Sequence, residues 1–410
     1  MDYKIIKKLA AGGFAEVFLA TAEAVEGFSK YVAIKRILPN LTNDDENKET
    51  FVRMFLDEAR LWAKLNHNNI VQVFDLGTGI ENNDSFFIVM EYVDGANLEL
   101  IMKGVRKKGY QIPIHHSVFI IMQTLEGLYY AHTRRDDNNQ PLNVVHRDIS
   151  PPNIIMTSDG HVKITDFGLA KATTQLEKTS PNSLKGKIDY MSPEQAKGEL
   201  VDQRSDIFAT AILLYELLSN KKLYSNKATR ETLDIVQKAD IQPIRNLNPN
   251  VQPELEAILK KALAPSLTNR YQTALEFQND LAIYIFKNNL KVITHDISES
   301  LIQAFTYKKE IDKVKQNKED MIDQLIMNAL FKIKTIQEGD NVKDIIASNI
   351  ELVDSDKPLN IFSEEDELKQ SASIVFEKPI KKSSSNHLLI ISIIILIIIS
   401  IVTALIIYMK

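Results

Sequence analysis

His146-Arg147-Asp148-Ile149-Ser150-Pro151-Pro152-Asn153, followed by Asp166-Phe167-Gly168, is the stretch on which the reading of this chain turns. The first run has the form H-R-D-x-x-x-x-N and the second the form D-F-G, in that order and at a plausible separation. Asp166 and Asn153 offer the hard oxygen donors that Mg²⁺ prefers. Asp148 offers a carboxylate that can orient a hydroxyl and accept its proton. Phosphoryl transfer asks a protein for little covalent work, but it needs a charge-neutralising metal and an oriented acceptor. D-F-G alone recurs by chance; the two motifs in register do not.

Upstream, Tyr31-Val32-Ala33-Ile34-Lys35 is an alternating apolar strand that ends in a lysine. Residues Phe51 to Ala63 have the spacing of an amphipathic helix, and Glu58 on it is the natural ion-pair partner for Lys35. Ala10-Ala11-Gly12-Gly13-Phe14-Ala15-Glu16-Val17 reads as a turn between two strands. Set against G-x-G-x-x-G-x-V, it keeps only the central Gly12, with Ala10 and Ala15 in place of the outer glycines. Alanine has far less access to positive φ, which predicts a stiffer loop.

Together these runs are similar to those of a known family. From about Tyr3 to Leu290 the chain resembles a eukaryotic-type (Hanks-type) serine/threonine protein kinase domain of the bacterial kind. The resemblance implies a two-lobed α+β fold, with a small antiparallel-sheet lobe carrying the Glu58 helix and a mainly helical second lobe. It implies Mg²⁺-ATP as cofactor, with Mn²⁺ as the alternative metal, and protein Ser or Thr hydroxyls as acceptors. Asp148 takes the catalytic role, Lys35 grips the α- and β-phosphates, and Asn153 and Asp166 hold the metal. Ala10, Gly12, Gly13, Phe14, Val17, Ala33, Lys35 and Glu58 belong to the nucleotide site on this reading. Phe86 to Gly95 resembles the strand and hinge between the lobes, with Met90 as gatekeeper, main-chain groups of Glu91 and Val93 on adenine, and Asn97 near the ribose. Ser192-Pro193-Glu194 stands in for A-P-E, Arg270 for the arginine that pairs with its glutamate, and Asp206 for the aspartate that braces the catalytic loop.

Two departures occur together. Where the family has a lysine two residues after the catalytic aspartate, this chain has Ser150; where it has a threonine in G-T-x-x-Y, this chain has Lys187 in Gly186-Lys187-Ile188-Asp189-Tyr190. Both positions lie beside the catalytic aspartate in the family. The pair therefore reads as an exchange of hydroxyl and ammonium, with Lys187 as a further catalytic residue. Thr173, Thr174, Thr179, Ser180 and Ser183 are the candidate autophosphorylation sites of the segment between Asp166 and Glu194. The alternative to an active kinase is a pseudokinase, a membrane-tethered nucleotide-binding scaffold.

A chain of 410 residues exceeds one such domain. Its net charge of −5 offers no basic face for nucleic acid, and the absence of cysteine excludes disulfides, thiolate chemistry and Cys-ligated zinc. The eight histidines show no metal-ligand spacing. Leu388 to Met409 is almost unbroken Ile, Leu, Val and Ala, and as a helix it would reach ~33 Å across a bilayer core of ~30 Å. Lys378, Lys381 and Lys382 before it and only Lys410 after it predict a single-pass span with the kinase on the cytoplasmic side of the inner membrane. The domains expected are 3–290 kinase, 291–338 helical extension, 339–387 flexible linker and 388–409 transmembrane helix, with essentially no external domain. Small residues Ser392, Ser400 and Ala404 on one face of the span point to a homodimer.

Overall fold

The computed structural model describes residues 2–11, 15–23, 29–37, 55–57, 59–80, 83–167, 188–224, 229–294 and 296–298, with Thr306 and Lys313 beyond them. Five antiparallel strands form the first lobe: β1 (Asp2–Ala11), β2 (Ala15–Glu23), β3 (Ser29–Ile37), β4 (Val73–Ile80) and β5 (Asn83–Glu91), in the order β1-β2-β3-β5-β4. Strand alternation divides β3 between two apolar layers. Val32 and Ile34 pack with Ala20, Ala22, Phe87 and Val89 on one face. Ala33 and Ile37 turn to the other, where Phe55, Ala59 and Trp62 of the helical residues 55–57 and 59–63 cover the sheet with Ile88 and Met90.

The second lobe begins with β6 (Gly95–Asn97), which pairs with β7 (Ile154–Thr157) and through it with β8 (Val162–Ile164). Among its described residues seven α-helices follow in chain order: α1 (Leu98–Lys107), α2 (Ile114–Thr133), α3 (Pro193–Lys197), α4 (Gln203–Ser219), α5 (Thr229–Lys238), α6 (Pro253–Ala262) and α7 (Ala274–Lys287). Helix α4 is buried on every side from Ser205 to Ser219. A helix apolar all round must lie inside a core, and α2 and α7 pack around this one. This is the two-lobed α+β layout expected.

The predicted linker and the span 388–409 lie outside the described residues, as does most of the predicted helical extension. Among the described residues, no helix is long and apolar enough to cross a membrane.

Candidate active site

The register of the sheet assembles one wall of the site. Cross-strand partners share a face, so the pairs Ala10↔Val17 and Val17↔Lys35 put three predicted nucleotide residues in one row. The pair Ala33↔Met90 forms the next row on the same face, and both residues are buried. Gly12, Gly13 and Phe14, between β1 and β2, lie outside the described residues, as does Glu58. The ammonium of Lys35 sits 2.7 Å from Asp166 Oδ1, which joins the sheet lobe to the end of β8.

The opposite wall is the loop from His146 to Asn153. Its backbone is held from below by Asp206 in the first turn of α4. The Asp206 carboxylate accepts the N–H of His146 at 2.8 Å and of Arg147 at 2.7 Å, and lies 2.8 Å from His132 Nε2. Burial acts to raise the pKa of Asp206, but these contacts with His132 and His146 hold it below the ordinary carboxylate value. Arg147 and Asp166 both adopt positive φ, at 67° and 64°. For residues with a Cβ that conformation is strained and persists where the surroundings enforce it.

Two hydrogen bonds tie the loop to the strand end that carries Asp166, and the Asn153 side chain closes the loop on itself. His146 Nε2 contacts Thr165 O at 2.9 Å, and Thr165 N–H donates to Asn153 O at 3.0 Å. Asn153 Nδ2 donates to Asp148 O at 2.8 Å and reaches Asp148 Oδ2 at 3.2 Å. The Asn153 amide nitrogen is thereby fixed inside the loop, which sets the orientation of its Oδ1. Phe167 packs edge-on against the His146 ring, 4.6 Å between centroids.

Whether these groups suit Mg²⁺ can be judged from the donors. Asn153 Oδ1 and the Asp166 carboxylate are hard oxygens on one side of the cleft. Among the described residues no cluster of three or more His, Cys, Asp or Glu could hold a metal without help. One or two carboxylates completed by phosphate oxygens and water is the habit of Mg²⁺, so the residues present fit.

Several features of the site escaped the sequence reading. Asn97 is the N-cap of α1, its Oδ1 accepting from Leu100 N–H at 3.0 Å, so the ribose position is also a capping position. Glu91 turns its carboxylate to Lys163 on β8, 2.9 Å away. Ser192 closes a capping box with Gln195, and the Gln195 amide donates to Arg147 O at 2.9 Å; the spacing S-x-x-Q was the legible signal. Ser150 points its hydroxyl toward Asp148 O at 3.4 Å. Lys187 lies outside the described residues, as do the five candidate phosphorylation sites. Glu194 and Arg270, matched in sequence, meet at 2.8 Å with both side chains buried.

The protein kinase domain family matches residues 3–280. The chain is similar to the tyrosine-protein kinase MasK of Myxococcus xanthus, 42% identical over 69% of this chain and 43% of the relative. It is 33% identical to the serine/threonine-protein kinase PrkC of Bacillus subtilis over 76% of this chain and 45% of that one. With the serine/threonine-protein kinase PknB of Mycolicibacterium smegmatis it shares 35% identity over 68% of this chain and 42% of the relative. The match thus spans less than half the length of each of these curated relatives. The fold is that of the Mycobacterium tuberculosis PknI kinase domain, seen in the crystal structure of a double mutant, with a TM-score of 0.50 and 24% identity over 68% of this chain and 95% of that one.

Proposed function

Because the chain belongs to the protein kinase family, we propose that it transfers the γ-phosphoryl group of Mg²⁺-ATP to serine or threonine hydroxyls of proteins. The observation that carries this reading is the single cluster in which Lys35 meets Asp166 while Asn153 holds Asp148. Lys35 is placed to neutralise phosphate charge, and the Asn153 amide holds the Asp148 loop so that its carboxylate can orient a hydroxyl and take its proton. Asn153 Oδ1 and Asp166 would hold Mg²⁺, which supplies charge neutralisation at the β- and γ-phosphates. A pseudokinase would not need this set of groups together.

The test is transfer of labelled phosphate from ATP to a generic protein substrate, with Asp148→Asn, Lys35→Met and Asp166→Asn as controls. Each variant should fold as the parent does and lose on the order of 10³-fold or more in rate, because each removes charge stabilisation from the transition state. Transfer by Asp148→Asn at the parental rate would refute the reading. Mass spectrometry of the active protein should find phosphate on the segment 173–183, where Thr179 and Ser180 are the favoured acceptors.

A second acceptor class has one specific observation behind it: the relative at 42% identity is named a tyrosine-protein kinase. Phosphoamino-acid analysis of the same product separates the two, with phosphotyrosine as the major product counting for the second. The setting proposed for the activity is the cytoplasmic face of the inner membrane, with Leu388 to Met409 as the anchor. The apolar run and the lysines before it are what support this. A homodimer through Ser392, Ser400 and Ala404 would place two kinase domains for transfer in trans, and bulky replacements at Ser400 and Ala404 should then abolish cross-linking.

A further inference from the structure

The chain does not leave the fold at the end of α7. Asn288 and Leu290 N–H groups close that helix on Tyr284 and Ile285, and the N–H groups of Asp296 and Ile297 then return to the carbonyl of Ile293. This short turn lies against the β7–β8 connection. Ile297 is fully buried in the main apolar core. The Ser298 hydroxyl donates to the carbonyl of Ser158. Gly160 has φ of 90°, and a Cβ at that position would lie 2.1 Å from the carbonyl oxygen of Thr294. Only glycine allows both the backbone angle and this approach.

The same β7–β8 connection touches the link between the lobes on its other side. Ser158 N–H reaches the carbonyl of Asp94 at 3.4 Å, and Gly95 pairs with Thr157. A Cβ at Gly95 would come 2.1 Å from Met156 O, so this contact too is fitted to glycine. Ser298, Ser158 and Asp94 therefore form a continuous series from the turn after α7 to the residue beside Val93. The helical turn is bound by an apolar anchor, a hydroxyl and a steric fit that are unrelated to phosphoryl transfer.

We propose that Thr294 and residues 296–298 form a strap that positions the interlobe link from behind, so that nucleotide affinity depends on whether the strap is docked. When docked, it fixes the β7–β8 connection and with it Asp94 and Gly95. The main chain at Val93 is then preorganised to bind adenine, and preorganisation lowers the cost of binding. When released, the link samples more conformations and only a fraction of molecules bind well, which weakens apparent affinity by that fraction. The strap leads directly into the residues beyond 298, so whatever holds that region acts on the link. The adenine half of this proposal rests on the kinase reading; the mechanical half does not.

The experiment uses the full chain and the variants Gly160→Ala and Ser298→Ala, neither of which touches the cleft. Hydrogen exchange is followed at 293–298 and at 93–97, and binding of Mg²⁺-ADP by calorimetry. Both variants should lose amide protection in the strap and in the link together. Affinity for the nucleotide should fall by about three- to tenfold, with kcat within about twofold. Release of the strap with unchanged protection at 93–97 would overturn the proposal, as would a strap that stays protected in Gly160→Ala. If the link loosens in the variants but the parent binds no nucleotide, the kinase reading fails and the strap stands.

Discussion

Single residues carry two tests that geometry alone does not perform. The first concerns Ser150 and Lys187, which read as an exchange of hydroxyl and ammonium around Asp148. Ser150 Oγ lies 3.4 Å from Asp148 O, and Lys187 is outside the described residues. Lys187→Thr should cripple transfer, and adding Ser150→Lys should restore much of it; strictly additive losses in that double-mutant cycle would dissolve the exchange. The second concerns His116, whose pKa burial and then the neighbouring His115 push down to about 4, with Asp296 opposing. A folded value below the ordinary histidine value of 6.5 means the unfolded chain takes up the proton first as pH falls. Stability is therefore complete above about 6.5 and is lost as pH drops toward 4, by at most about 3 kcal/mol. His116→Gln should flatten the fall in melting temperature between pH 7 and pH 4.5; an unchanged slope would remove His116 as its source. Asp148, Asn153 and Asp166 were legible because their chemistry needs those types at fixed spacing. The contact of Lys35 with Asp166, 131 residues further along the chain, was not read from the motifs, which offered Glu58 as the partner of that lysine.

Elements are joined by buried charge, and here the tertiary structure adds most. The Glu194 and Arg270 side chains link the first turn of α3 to the loop before α7, with Ser205 also donating to Glu194 and the Arg270 guanidinium stacked over Phe208, 4.8 Å from ring centre. Burial acts to raise the pKa of Glu194, but Arg270 and Ser205 hold it below the ordinary value. Arg270→Met would leave that carboxylate buried and unpaired, which costs ~3–5 kcal/mol. Chemical denaturation should show a loss of this size, and the double variant Arg270→Met with Glu194→Gln should recover part of it. A loss below about 1 kcal/mol would mean the site admits water readily. The pairing was readable from the motif; the capping box that ties Gln195 to Arg147 O was readable only as a spacing until the fold placed α3 beneath the catalytic loop.

For the whole molecule, the proposed arrangement is a kinase domain held to a membrane by its last apolar stretch. A chain ending at residue 387 should move from the membrane to the soluble fraction and keep transfer activity toward a soluble substrate. Recovery of the intact chain in the soluble fraction without detergent would remove the anchor. The sequence by itself determined the family and the fold class, since motifs of fixed residue type and spacing mark a family, and strand alternation reports which side chains share a face. It also determined the composition limits, above all the lack of cysteine. Only the tertiary structure decided that Lys35 meets Asp166, that Glu91 meets Lys163, and that Thr294 and Ser298 meet Gly160 and Ser158. The physical reason is that such contacts depend on chain paths that close over long sequence separations, and local pattern carries no record of where those paths cross.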